Sequence, residues 1–281
     1  MPAQGPARGR TETPLVTRVT LDGAANGPAP ATARRPDDLV VEEPLRIELD
    51  GVAVATTMRT PGHDYELAVG FCHGDGLLAG APVTGVRYCA NGSADESAWN
   101  IVTVETGGRA PAPTPRLGTT SSSCGLCGND AIDDLCKRLV PLAAGTPVHT
   151  LEVLAGVPAR VRDGQGLFAR TGAVHAAAAF GPDGEILLTR EDVGRHNAVD
   201  KVVGRLLLDG RLPATGLGLF VSGRASFEMV QKAWAAGFAT VLAVSAPTAL
   251  AVDTARRANL FLAGFVRDGG FNVYAPERLA R

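Results

Sequence analysis

The sequence predicts a mixed fold, α/β in its C-terminal half and α+β overall, with a smaller N-terminal α+β domain. Two patterns predict it. From about residue 150 onward, short apolar runs alternate with polar loops and helical segments, whereas residues 36–106 read as antiparallel strands around one short helix. Residues 1–35 are rich in Pro, Ala, Gly, Arg and Thr, lack periodicity, and read as a disordered tail. Leu39 to Val41, Leu45 to Leu49 and Val52 to Thr57 then read as strands, the last two joined across Asp50-Gly51, a type I′ hairpin signal. Pro61-Gly62 breaks the pattern, Asp64 to Cys72 reads as a helix, and Val86 to Cys89 and Trp99 to Val104 read as further strands. Residues 107–128, rich in Pro, Gly and Thr as far as Thr120, read as a mobile arm.

Residues 129–281 form the second predicted domain. Ala173 to Phe180 and Ile186 to Thr189 flank Pro182-Asp183-Gly184, a hairpin signal. Three strand-loop-helix units follow. Ile186 to Thr189 leads into a helix marked by Ala198, Val199, Val202, Val203, Leu206 and Leu207. Leu217 to Val221 leads into a helix with Phe227, Val230 and Trp234, and Val241 to Val244 into one ending near Asn259. Leu260 to Val266 supplies another buried strand. Such alternation predicts an open, largely parallel sheet covered on both faces.

A chain of 281 residues, 45% hydrophobic and 20% charged, can bury a sizeable core. Its net charge of -2 offers no bulk attraction to nucleic acid, so an anion site must be local. The N-terminus shows no apolar signal-peptide core, and no apolar run is long enough to span a bilayer, which gives the expectation of a cytoplasmic protein without a membrane role. Five cysteines in a reducing compartment are expected to be thiols.

The densest chemistry lies in Ser121-Ser122-Ser123-Cys124-Gly125-Leu126-Cys127-Gly128. Asn129 and Asp130 then read as the start of a helix on which Ile132, Leu135, Cys136, Leu139 and Val140 recur at helical spacing. Thiols just outside a helix N-terminus are favoured as thiolates by unpaired N–H groups and the dipole. Half a zinc site, a redox couple and a persulfide-based sulfur carrier all use this spacing. Cys72, Cys89, Cys136 and the five histidines supply no second pair for zinc, and the segment before the motif does not read as the strand of a thioredoxin-like unit. His63, His73, Cys72 and Cys89 read as packing or surface groups.

In α/β sheets ligands bind beyond the carboxyl ends of the strands. The loops there offer Arg190, Arg195, His196, Ser222, Gly223, Arg224, Ser226, Ser245 and Thr248, a donor set suited to an organic phosphate such as a nucleotide. Neither a Walker A loop nor a dinucleotide-binding glycine fingerprint is present, which disfavours ATP hydrolysis and hydride transfer.

Four runs, in order, resemble the FdhD/NarQ family of sulfurtransferases required for formate dehydrogenase activity. They are Ser122 to Gly128, Thr171-Gly172-Ala173-Val174-His175-Ala176-Ala177-Ala178, Glu191 to Lys201, and Ser222 to Lys232. Glu43-Pro44-Leu45 and Arg59 to Asp64 also fit. The resemblance implies a carrier that takes persulfide sulfur from a cysteine desulfurase and passes it to the molybdenum of the bis(molybdopterin guanine dinucleotide) cofactor before insertion into the formate dehydrogenase apo-enzyme. Cys124 would carry the persulfide and Cys127 would assist or resolve. It also implies a homodimer, a cytidine deaminase-like three-layer C-terminal domain that binds the guanine and phosphate parts, and a cofactor-binding segment at Phe265, Val266, Arg267, Asp268, Gly269 and Gly270. His175, Arg195, His196, Ser222, Arg224 and Ser245 are the expected supporting contacts, with no tightly bound metal of the protein's own.

Deaminase chemistry itself is disfavoured, because His175 is followed by Ala176 and Ala177 in place of His-x-Glu and the Cys-x-x-Cys precedes the histidine. His175 and His196 each have a core or structural reading beside the functional one. Glu228 and Lys232, one helical turn apart, read as a surface ion pair. The competing function is a non-catalytic cofactor-binding chaperone whose thiols only hold structure or a partner.

Overall fold

A computed structural model describes residues 9–21, 31–89, 99–113, 139–143, 149–267 and 269–279. The Cys-x-x-Cys motif and nearly all of the helix expected after it lie outside these residues. Where residues 1–35 were expected to be a disordered tail, the described residues form β1 (Thr11–Glu12), β2 (Leu15–Thr20) and β3 (Ala31–Pro36). β2 and β3 pair as an antiparallel ribbon, and β1 pairs with β4 (Leu39–Val40). The ribbon side chains are almost all exposed, so the burial pattern that betrays a strand is missing from this sequence. Polar contacts hold its base instead: the Thr13 hydroxyl donates to Asp38 at 2.6 Å, and Arg170 reaches both Asp38 and Thr11.

The first sheet contains β5 (Glu43–Leu49), β6 (Val52–Arg59), β7 (Gly85–Tyr88) and β8 (Ile101–Glu105) in the order β6-β5-β8-β7. Asp50 (φ 47°) and Gly51 (φ 85°) both take the positive φ that a type I′ turn requires, as the sequence predicts. Leu45, Ile47 and Leu49 are fully buried against Leu67, Ala68 and Cys72 of α1 (Asp64–Gly74).

The second sheet has the order β10-β9-β11-β12-β13-β14. Its strands are β9 (His175–Phe180), β10 (Ile186–Asp192), β11 (Gly218–Val221), β12 (Thr240–Ala243), β13 (Phe261–Arg267) and β14 (Gly270–Ala275). It is mixed, not largely parallel: only β11-β12 and β12-β13 pair in parallel. Hairpin connections reverse the direction of β9 and β14, because a short loop joins only antiparallel neighbours, whereas crossover helices give the parallel centre. β14 was not expected; the glycine-rich stretch after β13 is the turn into it.

Successive residues of each strand face opposite layers. Ala177, Ala179, Leu219, Val221, Val241 and Ala243 pack with α4 (Arg195–Leu208), α5 (Phe227–Ala236) and α6 (Ala249–Arg257). Ala178, Phe180, Phe220, Leu242 and Ala263 pack on the other face with Leu154, Val157 and Val161 of α2 (Leu151–Arg162). The domain is therefore a three-layer sandwich. α2 and the short α3 (Gly166–Thr171) escape the sequence reading. α2 contains Gly156 and Pro158, residues that argue against a helix, and only its inner stripe is buried.

The two sheets meet where α1 crosses α4. A Cβ on Gly70 would fall onto the carbonyl oxygen of Asp200, and one on Gly204 onto that of Glu66. Only glycine at both positions allows the helix backbones this approach.

Candidate functional site

β10, β11 and β12 all run toward one edge of the second sheet, and β9 begins there, with His175 opposite Asp192 in the register. The loops leaving β11 and β12 are tied together: Ser245 N–H donates to Gly223 O at 3.2 Å, and Thr248 N–H to Ala225 O at 3.0 Å. The predicted convergence of the polar loops thus has a structural basis. Beside it opens a cleft of about 740 Å³, whose lining includes Arg162, Phe168, His175, Ser222, Val266 and Arg267. That volume lies in the usual range for a small-molecule site.

His175 is half-buried at the start of β9. Its Nδ1 is 3.5 Å from the Ser222 hydroxyl, and that oxygen already accepts the Ala176 N–H at 2.9 Å. The hydroxyl proton is therefore free to point at Nδ1, which leaves Nε2 as the N–H of the neutral ring. Burial, followed by the charges of Arg195 and His196, pushes the His175 ring below its ordinary value. Arg195, the first residue of α4, has its Cδ close to Gly223, and its Nε is buried with no hydrogen-bond partner among the described residues. A buried, unsatisfied guanidinium N–H is a donor awaiting an acceptor. His196 Nε2 sits 2.5 Å from Glu228 Oε2, with both side chains largely buried.

The remaining predicted residues divide. Ser245 is not part of the cleft lining; its carbonyl accepts the Phe265 N–H at 3.3 Å. Val266 is buried and Arg267 exposed, both on the cleft lining, while Phe265 is exposed at a φ of 53°. Gly269 and Gly270 are exposed at the turn into β14, with Gly269 at φ 96°; Asp268 lies outside the described residues, as do Cys124 and Cys127. Arg224 is exposed. Thr248 caps α6, accepting from Ala251 N–H at 3.2 Å, and Ser226 is the N-cap residue of α5, its hydroxyl buried with no partner among the described residues. Sequence reasoning missed Arg162, Gln165 and Phe168, which line the cleft from α2, the N-cap of α3 and α3 itself. An exposed phenylalanine is their only sequence-level signal.

Two expectations fail. Arg190 does not face the cleft; it grips Glu66 of α1 at 2.5 and 2.8 Å. Glu228 and Lys232 are not a surface pair. Lys232 is buried and binds Asp200 at 2.7 Å and Asp75 at 3.5 Å, leaving Glu228 for His196. Their one-turn spacing is compatible with a mutual contact, but α1 and α4 cover this face of α5 and provide closer partners.

These charges belong to a polar seam between the sheets. Asp192 and Lys201, both fully buried, pair at 2.6 Å, and Asp192 also accepts the N–H groups of Thr60 and Gly194 and the Asn197 amide. Lys201 donates to Thr60 O at 3.0 Å. Glu191 caps α3 by accepting the Leu167 and Phe168 N–H groups at 2.9 and 2.8 Å, so the same motif that anchors the seam also seats Phe168 in the cleft wall. Burial pushes the Asp200 carboxyl up to about 6, against the pull of Lys232, and raises the Cys72 thiol far enough to make it inert. His73 is similarly structural, bound at 3.1 Å to Ala235 O. Among the described residues no cluster of three His, Cys, Asp or Glu side chains could hold a metal ion, and no helix is long and apolar enough to cross a membrane.

Residues 40–280 match the profile of the FdhD/NarQ family. Among curated proteins, the chain is 50% identical over 258 residues to the sulfur carrier protein FdhD of Streptomyces coelicolor, covering 89% of this chain and 92% of that one. It is 46% identical over 253 residues to the protein of the same name from Corynebacterium efficiens, covering 86% and 91%. Among solved structures it resembles a provisionally assigned formate dehydrogenase accessory protein from Desulfotalea psychrophila, with a TM-score of 0.71 and 23% identity, over 95% of this chain and 99% of that one. With the family profile spanning residues 40–280, and relatives about half identical over some nine-tenths of their length, the chain belongs to the FdhD/NarQ family.

Proposed function

We propose that this protein is a sulfur carrier required for formate dehydrogenase activity, working in the cytoplasm on a guanine-dinucleotide form of the molybdenum cofactor. The observation that carries the reading is the 50% identity to a sulfur carrier protein over nearly the full length of both chains. In the first step the Cys124 thiolate attacks the terminal sulfur of a cysteine desulfurase persulfide. A new S–S bond forms on Cys124 as the donor's bond breaks, and the donor leaves as a thiolate. Release of the sulfur as hydrosulfide needs a second thiolate attack on Cys124 Sγ, which Cys127 supplies, leaving a disulfide that a cellular thiol reduces.

The cofactor is the substrate of this transfer, and the cleft residues fit part of it. Arg162 and Arg267 supply guanidinium groups, Phe168 presents an aromatic face, and beside the cleft Arg195 has a buried donor with no partner among the described residues. About 740 Å³ suits one guanine nucleotide arm, not both, so the rest of the cofactor would extend from the cleft or reach a second subunit. The three-layer sandwich is consistent with a cytidine deaminase-like ancestry, without deaminase chemistry. Intact-mass spectrometry after incubation with a cysteine desulfurase and cysteine tests the reading. A reductant-labile gain of one sulfur atom, retained in Cys127→Ala and lost in Cys124→Ala, is expected; no gain in the wild type would leave a cofactor-binding chaperone in its place.

A further inference from the structure

The β2-β3 ribbon contributes nothing to the cores beneath the two sheets, and Val16 is its one partly buried residue. A lone two-stranded ribbon is marginal in water. Both outer edges of this one are unpaired among the described residues. The register sorts its side chains onto two unlike faces. One face carries Leu15, Thr17 and Val19 of β2 opposite Pro36, Arg34 and Thr32 of β3. Leu15 and Val19 are 60% and 55% exposed, and Leu21, just beyond β2, is 72% exposed. The other face carries Val16, Arg18 and Thr20 opposite Arg35, Ala33 and Ala31. Arg18 and Arg35 are diagonal neighbours there, and neither strand contains an acidic residue, so two like charges face water with no carboxylate of the ribbon to offset them.

We propose that the ribbon is a docking arm that takes one extended, acidic segment of a partner protein as a third strand. The unpaired edge supplies backbone N–H and C=O groups. A strand alternating carboxylates with β-branched apolar residues matches both faces at once, its acids beside Arg18 and Arg35 and its apolar side chains beside Leu15 and Val19. The ribbon of a second copy is a poor occupant, since it brings the same arginines and no acid. A bilayer needs its apolar and cationic contacts on one side, whereas Arg18 and Arg35 lie on the face opposite Leu15 and Val19. A nucleic acid leaves the apolar face uncovered. The base of the arm places the partner next to the cleft wall. Arg10 donates to Glu191 O at 3.3 Å, and Arg170 of α3 holds Asp38 at 2.9 Å, while α3 carries Phe168 of the lining. This docking role is independent of the ligand the cleft takes.

The test is fluorescence anisotropy with the full chain and a labelled synthetic peptide of about ten residues, long enough to pair along a whole strand, in which Glu alternates with Val and Thr. Saturable binding is expected. It should weaken roughly tenfold or more in the Arg18→Glu, Arg35→Glu double variant, and the matching peptide with Lys in place of Glu should bind that variant in its stead. Val19→Asp, which charges the apolar face, should weaken binding of the Glu peptide roughly threefold to tenfold. All three side chains are exposed, so the variants are expected to keep the wild-type melting temperature. A peptide N-methylated at every second backbone nitrogen, on the side that pairs, should not bind.

Equal binding of the Glu peptide by wild type and the double variant overturns the proposal, as does no binding by the wild type. Two further probes decide the class of partner. Single-stranded DNA or phosphatidylglycerol vesicles that bind the wild type more tightly than the peptide, and lose that binding in the double variant, replace the protein partner with a nucleic acid or a membrane. Sedimentation equilibrium addresses a second copy: self-association that the double variant abolishes makes the ribbon a self-contact and overturns the acidic partner.

Discussion

The seam between the two sheets and the cleft at the edge of the second sheet are built from the same stretch of sequence and obey opposite rules. In the seam, Asp192, Lys201, Asp200, Lys232, Glu66 and Arg190 are all paired inside the protein. Beside the cleft, next to Gly223 and His175, the Arg195 Nε is buried and has no hydrogen-bond partner among the described residues. Glu191 to Lys201 contributes to both, with Arg195 beside Gly223 and His175 at the cleft edge and Asp192, Asn197 and Lys201 in the seam. A dense polar motif is therefore not a list of ligand contacts. Most of its charges are spent holding the helix that presents the others.

The comparison breaks most visibly at the seam. Lys201→Met leaves the buried Asp192 carboxylate without its counter-charge, and a loss of about 3–5 kcal/mol is expected in urea unfolding, with little refolded protein at 37 °C. If Lys201→Met unfolds like wild type, the seam does not discriminate paired from unpaired charge as described.

Acid should act on the same seam through Glu66. Burial alone would raise its carboxyl, but hydrogen bonds and charge from Arg190 and His63 outweigh that and hold it at about 2, against an ordinary value of 4.5. Because the folded value is depressed, the stabilisation is fully present above pH 4.5, amounts to about 3 kcal/mol there, and is lost as pH falls from 4.5 toward 2. Thermal melts of wild type and Glu66→Gln should converge over that window; curves that remain parallel would count against the pairing. Asp200 has the opposite sign, its raised carboxyl costing stability as pH rises from about 4 to 6, so an Asp200→Asn variant should lack that shallow decline.

At the glycine crossing, Gly204→Ala puts a methyl group into the backbone of α1 and should cost about 1–3 kcal/mol or more, with the N-terminal sheet losing amide-exchange protection first. At the cleft the order reverses. Arg195→Ala should leave the unfolding free energy from urea titration within about 0.5 kcal/mol of wild type, since its Nε has no partner to lose among the described residues, while weakening GDP binding by roughly tenfold to a hundredfold. A large stability loss without a binding change would move Arg195 to the seam.

Much of this architecture was legible beforehand, for identifiable reasons. The Asp50-Gly51 hairpin, α1, and the β11-α5 and β12-α6 units announce themselves through turn residues and apolar spacing, because their burial is regular. The β2-β3 ribbon was not legible, since its strands bury nothing, and α2 was hidden by Pro158. In the site, Ser222 was offered by the rule that ligands gather at strand ends, and His175, Val266 and Arg267 by the family resemblance; the structure brings all four to the lining of one cleft. Arg190 and Lys232 were misassigned because their partners, Glu66, Asp75 and Asp200, lie more than 30 residues away, and spacing along one helix or loop says nothing about what a distant element brings. Phe168 was missed for the same reason: its place depends on Glu191 capping α3 from another strand.

The crossing of α1 and α4 at Gly70 and Gly204 also limits how the molecule can work. Helices that touch through bare backbone have no side-chain layer to slide on, so the two sheets cannot shear past one another in the small steps by which many two-domain proteins open and close. Among the described residues, relative movement is thereby left to the loops at the sheet edge, and the frame behind them acts as a fixed anvil.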